Sequence, residues 1–161
     1  MLTAEPFSAG APTMRYLFLS MILALAVPTA WAAEGSADVI GRVKMVRGDA
    51  FIQRATGQVA AEPGTTLTGS DVLVTGSNGQ LGVTFADNSR FALGPNTEIE
   101  LQTFSFNTTT HEGQFESNIK RGRLSVISGR IAKSSPDAMT VRTPSQILGV
   151  RGTEFLVRVS P

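Results

Sequence analysis

Cysteine is absent and histidine occurs once in the 161 residues. Without cysteine there is no disulfide scaffold, no thiolate metal site and no cysteine nucleophile. His111 alone leaves a metal centre short of nitrogen and sulfur ligands, so no metal and no other cofactor is expected. A serine nucleophile needs an activating base and an orienting partner, and no G-x-S-x-G elbow occurs. No glycine-rich loop has phosphate-binding spacing: Gly76 and Gly79 lie between two strand-like segments and open no helix. Charged residues make up only 17% and the net charge is +1, which excludes a disordered or strongly polyionic chain. A low-complexity linker and a second composition regime are also missing, so the chain reads as one ordinary domain behind its N-terminal segment.

That N-terminal segment is the first positive feature. Arg15 precedes an apolar run from Leu17 to Val27 that only Ser20 interrupts; Pro28 ends it, and Ala30-Trp31-Ala32 offers an A-x-A site. This is the order of a helical, cleavable secretory signal, with the cut between Ala32 and Ala33. At ~1.5 Å of rise per residue the run is too short to cross a hydrocarbon core of ~30 Å. The expected organisation is a mis-called extension over 1–13, a signal peptide over 14–32, a short leader over 33–37 and a β domain over 38–161. The expected address is the periplasm, with no membrane span in the processed form.

Beyond the leader no long stretch has the i, i+3, i+4, i+7 apolar spacing of a helix. Short β-rich runs recur instead, with turn residues every ~8–12 positions. The expected strands are Ile40–Val46, Ala50–Arg54, Asp71–Thr75, Gln80–Phe85, Arg90–Leu93, Glu98–Thr103, Gln114–Ile119, Arg123–Ile127, Met139–Thr143 and Glu154–Val159. Leu81, Val83 and Phe85 alternate with Gly82, Thr84 and Ala86, and Ile99 and Leu101 alternate with glutamates, which predicts one buried face per strand. Asn78-Gly79 has the composition of a hairpin turn. Asp87-Asn88, Gly94-Pro95-Asn96, Glu62-Pro63-Gly64 and Ser134-Ser135-Pro136-Asp137 mark further turns. Val72–Leu101 then reads as a meander of about four strands, and Phe104–Glu112 as a loop or a distorted edge. The class is all-β, and the rhythm alone admits a sandwich, an irregular barrel or a solenoid-like roll.

Charge is unevenly placed. Residues 33–118 carry 5 Lys+Arg and 10 Asp+Glu, a balance of −5; residues 119–161 carry 8 and 2, a balance of +6. The simpler reading is that the halves neutralise each other or face solvent; the functional one is a basic face for anionic lipid or another polyanion. Glu98 and Glu100 share one strand face, whereas glycosidic chemistry needs carboxyls opposed across a cleft. Lys120-Arg121-x-Arg123 with Phe104, Phe106 and Phe115 suggests nucleic acid only remotely, and no nucleic-acid partner is expected. No catalytic constellation is assembled, so an enzyme is not expected.

Two segments carry a family signature. One runs from Gly69-Ser70-Asp71 through Phe85-Ala86-Asp87-Asn88-Ser89 to Leu93-Gly94-Pro95-Asn96-Thr97. The other is Thr143-Pro144-Ser145-Gln146-Ile147-Leu148-Gly149-Val150-Arg151-Gly152-Thr153-Glu154-Phe155. With Gly41-Arg42-Val43 and Gly48-Asp49-Ala50, they resemble the FecR family over nearly all of the chain after the leader. Asp87-Asn88-Ser89 stands where the family has Asp-Gly-Ser, and Ser70-Asp71 where it has Gly-Asp. The resemblance implies a twisted β-solenoid or roll of about ten short strands, with a β-sandwich as the alternative. It singles out Asp71, Thr75, Asp87, Ser89, Pro95, Thr143, Pro144, Gly149, Arg151, Gly152, Thr153 and Phe155 as structural or partner-contact residues. Arg151 is expected to fork onto Asp71 or Asp87 and hold the closing strand. Family members are typically inner-membrane regulators that act on a sigma factor and contact a TonB-dependent receptor. Here the domain follows a signal-like segment directly, so the expectation is a stand-alone interaction module whose partner is an envelope protein, without the sigma-regulating segment. The alternative is a structural envelope protein that binds peptidoglycan or another polyanion.

Overall fold

The computed structural model describes residues 38–135, 137–152 and 154–160. The signal-like segment with Ala32 and Ala33, and Thr153 of the closing motif, lie outside the described residues. Among the described residues twelve strands and one short helix follow in chain order: β1 Val39–Arg47, β2 Ala50–Arg54, β3 Gly57–Ala60, β4 Thr66–Thr68, β5 Val72–Thr75, β6 Gln80–Phe85, β7 Arg90–Leu93, β8 Glu98–Phe106, β9 Gly113–Ile127, α1 Ile131–Ser134, β10 Met139–Arg142, β11 Ile147–Gly149 and β12 Glu154–Val159.

The strands form one curled sheet with two leaves. The front leaf runs β4-β1-β6-β7-β9-β12, and the back leaf runs β3-β2-β5-β8-β9-β10-β11. β9 belongs to both: its first half pairs β8 and β10, and its second half pairs β7 and β12. The bend falls at Gly122, whose φ is +95°. A Cβ there would run into the backbone and Oγ1 of Thr97, so the site needs glycine for space as well as for conformation.

The inward faces of the leaves make one core. Phe85 and Phe91 from the front meet Phe104 and Phe115 from the back, with Phe85–Phe115 centroids 4.6 Å apart and Phe91–Phe115 stacked at 5.2 Å. Leu81, Val83, Ile99, Leu101, Leu124 and Val126 are buried beside them, at roughly 1.5–3 kcal/mol for each large apolar side chain removed from water. The predicted alternation of Leu81, Val83 and Phe85, and of Ile99 and Leu101, is what places these residues inside.

Several expectations are corrected. The meander over Val72–Leu101 is not one: β5 pairs β2 and β8, β6 pairs β1 and β7, and only β6–β7 is a hairpin. Asn78-Gly79 therefore joins strands of opposite leaves, and neither residue has a positive φ. Gly79 is needed because a Cβ would collide with the Asp49 carbonyl oxygen. The segments 114–119 and 123–127 are one strand, because Gly122 bends the ladder without ending it. β3, β4 and β11 lacked a readable pattern: β3 is exposed throughout, and the other two have three residues each. Residues 131–134 form a helical turn that buries Ile131 and Ala132. A solenoid would stack strands in parallel at a fixed repeat, whereas β9–β10 is the single parallel ladder among the described residues.

Candidate functional site

Three buried polar clusters hold the curl, and each contains residues of the first signature segment. Asp71 is 2% exposed at the start of β5. Its carboxylate accepts from the Thr68 N–H at 2.9 Å, the Thr68 hydroxyl at 2.9 Å and Arg54 Nε at 3.2 Å. Arg54 also donates to the Thr66 carbonyl at 2.6 Å, so one guanidinium links β2, β4 and the start of β5. The expected fork is therefore made by Arg54 from the neighbouring strand; Arg151 is exposed.

Asp87 and Ser89 form the second cluster, both fully buried. Asn88 takes φ +68° between them, which closes the β6–β7 turn and lets the Asp87 carboxylate accept from the Ser89 N–H at 3.0 Å and the Ser89 hydroxyl at 2.6 Å. The Ser89 oxygen then accepts from Gly129 N–H at 2.9 Å, and the Asp87 carbonyl accepts from Arg130 N–H at 2.8 Å. The turn is thus tied to the segment after β9. Among the described residues no cation pairs with Asp87; hydrogen bonds alone offset its desolvation.

The third cluster sits at the bend. The Thr75 hydroxyl donates to the Gly94 carbonyl at 2.6 Å and accepts from Thr97 N–H at 2.9 Å. Thr97 Oγ1 donates to the Arg123 carbonyl at 3.1 Å and accepts from Arg123 N–H at 2.9 Å, satisfying both backbone groups beside Gly122. Half-buried Pro95 shapes the connection. Thr97 closes the first signature segment; Arg54, Thr68 and Gly122 were not singled out from the sequence. An isolated glycine within a long strand pattern was the available signal for the last; an arginine at a strand end carries none.

The closing motif lies elsewhere and is mostly exposed. Thr143-Pro144-Ser145-Gln146 is the β10–β11 turn, with Thr143 Oγ1 accepting from Gln146 N–H at 3.0 Å. Gly149 ends β11, and Val150 is buried with its N–H on the Met139 carbonyl at 2.8 Å. Gly152 takes φ +59° where the chain crosses from the back leaf to the front, and Phe155 is half-buried on β12. Among the described residues β11 bonds only β10 and β12 bonds only β9, so each leaves one ladder edge open there. A cleft of ≈ 420 Å³ runs between the Thr143–Gln146 turn and β12.

The chemistry-bearing residues do not converge. No group of three or more His, Cys, Asp or Glu side chains is placed to hold a metal among the described residues. His111 is exposed and stacks on Phe106 with centroids 6.3 Å apart. Glu98 bonds Arg121 at 3.0 Å, and Lys120 lies 3.5 Å from Glu98 and 3.8 Å from Glu100, so these carboxylates belong to a surface ion-pair network. Ser117-x-x-Lys120 has the spacing of a serine–lysine dyad on a helix. On a strand its members diverge: Ser117 is buried and Lys120 is exposed. Phe115 and Phe104 pack into the core and form no stacking platform beside Arg121. No helix of the described residues is long and apolar enough to cross a membrane.

No curated protein and no solved structure matches the chain. A family-model comparison matches residues 71–161, described as FecR protein. The match begins at Asp71 and takes in the second and third buried clusters and the closing motif; Arg54, Thr66 and Thr68 of the first cluster precede it, as do the Gly41-Arg42-Val43 and Gly48-Asp49-Ala50 segments. It covers more than half of the chain, and the chain belongs to the FecR family.

Proposed function

We propose that the protein is an exported, non-catalytic interaction module of the cell envelope that acts in signalling by contact with another envelope protein. The observation that carries this reading is the pair of open strand edges, β11 and β12, bordering one cleft within the family-matched region. An unpaired edge offers a row of N–H and C=O groups to an added strand, and neighbouring side chains give selectivity. Ile147, 62% exposed, is the most exposed apolar side chain of β11 and an apolar contact for a strand added there. Family membership supports the signalling role, and the signal-like segment supports the periplasmic address. The test is photo-crosslinking in intact cells with the reactive group at position 147, and at Val59 on β3 as the control edge. One discrete adduct at 147 that is absent at 59 supports the reading. Equal labelling at both positions, or none, refutes it.

A further inference from the structure

The outward face of the front leaf is a basic sheet surface with an apolar centre. Its register sets three rows across β1, β6, β7, β9 and β12. One row holds Arg42, Thr84, Arg90, Ile127 and Glu154. The middle row holds Met45, Gly82, Ala92, Ser125 and Leu156. The last has Arg47 opposite Gln80 and Arg123 opposite Arg158. Lys44 bulges out beside Met45, whose side chain lies over Gly82. Six cations thus share a face with one carboxylate, and among the described residues none of the six has an acidic partner.

The back leaf shows the contrast. Lys120, Arg121 and Arg142 are each matched there by Glu98, Glu100 or Glu116. The fold therefore neutralises charge across one face and concentrates it on the other. Arg123 and Arg158 stand directly opposite each other across the β9–β12 ladder. Like charges in that position destabilise a sheet, so the pair works against the fold unless an anion from outside meets it.

Two apolar side chains decide what kind of anion. Leu156 is 69% exposed and Met45 40%, at opposite ends of the middle row, and small Gly82, Ala92 and Ser125 keep the strip between them low. A hydrated, densely charged polymer gains nothing from exposed leucine and methionine. A lipid headgroup layer takes up both features, with cations at the phosphates and apolar tips at the acyl boundary. We propose that this face docks the domain on an anionic lipid bilayer, with Arg90, Arg123 and Arg158 on phosphate and Leu156 inserted.

The unit from Gly35 to Pro161 carries the core side chains from Ile40 to Val157 and is the form to test, because the apolar run at 17–27 would itself bind lipid. The probe is phosphatidylcholine vesicles with and without about a third phosphatidylglycerol, read by co-sedimentation at low and high salt. Binding to the anionic vesicles only, lost at high salt, is expected. Arg90→Gln/Arg123→Gln/Arg158→Gln should partition about a hundredfold more weakly, and Leu156→Asp should also release the protein. Lys120→Gln/Arg142→Gln on the back leaf should bind like the parent. Circular dichroism on each variant separates loss of binding from loss of fold. No binding to anionic vesicles, or equal binding by the front- and back-leaf variants, overturns the proposal. So does salt-sensitive binding that Leu156→Asp leaves intact, which would point to a soluble polyanion.

Discussion

Replacing Gly122 by alanine tests the bend that joins the two leaves. The site combines φ +95° with a Cβ position that overlaps Thr97 and the Asn96 carbonyl oxygen. Holding a non-glycine residue in that region costs about 1–3 kcal/mol. Relieving the overlap by moving the Thr97 backbone adds roughly 1–3 kcal/mol of packing strain. It also puts at risk the two bonds of Thr97 Oγ1 to Arg123, at about 1 kcal/mol each. The expected cost is about 3–5 kcal/mol, a large share of the roughly 5–15 kcal/mol that holds a typical domain folded. For a domain of this size that lowers Tm by about 10–20 °C. Thermal melts followed by circular dichroism and by calorimetry would read it. Two controls separate the causes. Gly57 has φ +129° with no atom within 4 Å of a new Cβ, so Gly57→Ala meets conformational strain alone, about 1–3 kcal/mol. Gly69 has open space and no positive φ, so Gly69→Ala should be neutral. If Gly122→Ala melts within a few degrees of the parent, or no lower than Gly57→Ala, the bend is not the constraint described here.

Other outcomes follow from the buried clusters. Arg54→Ala should cost about 2–3 kcal/mol, because it leaves the Asp71 carboxylate buried without its cation, while Arg151→Ala should stay within about 0.5 kcal/mol; urea titration of both decides which arginine is structural. Asp87→Asn should destabilise by about 1–3 kcal/mol, since an amide supplies one acceptor where Ser89 presents two donors; equal midpoints for the two proteins would refute this. Ser117 buries its hydroxyl with no partner among the described residues, so Ser117→Ala should leave Tm unchanged or raise it, worth up to about 1 kcal/mol.

What could be read from the sequence was local. The Asp87-Asn88 turn joins the two strands on either side of it, and the alternation of Leu81, Val83 and Phe85 assigns its own inward face, so both were legible. Partner choice was not. A period-two pattern states which side of a strand is apolar and is silent on which strand lies beside it, so β5 and β6 read as neighbours although the chain passes between leaves at Asn78-Gly79. Gly122 read as a gap between two strands because a bend and a break have the same composition. The signature residues Asp71, Asp87 and Ser89 stood out, but their partners Arg54, Thr68 and Gly129 did not, since only the fold brings them together. Charge misled in one respect. The split between chain halves is real, and part of it cancels between Glu98, Glu100, Glu116 and the cations facing them. The remainder draws Arg42 and Arg47 from the first half to join Arg123 and Arg158 from the second, a grouping by leaf that chain position does not reveal.

β9 is shared by both leaves and arrives late, at residues 113–127. Until it is available, β8 on one side and β7 on the other lack the ladder that brings them together. The β4-β1-β6-β7 and β3-β2-β5-β8 pairings need nothing beyond Phe106, so each leaf can assemble most of its ladders first, and the hydrogen-bonded seam between the leaves is the step that waits for residues 113–127.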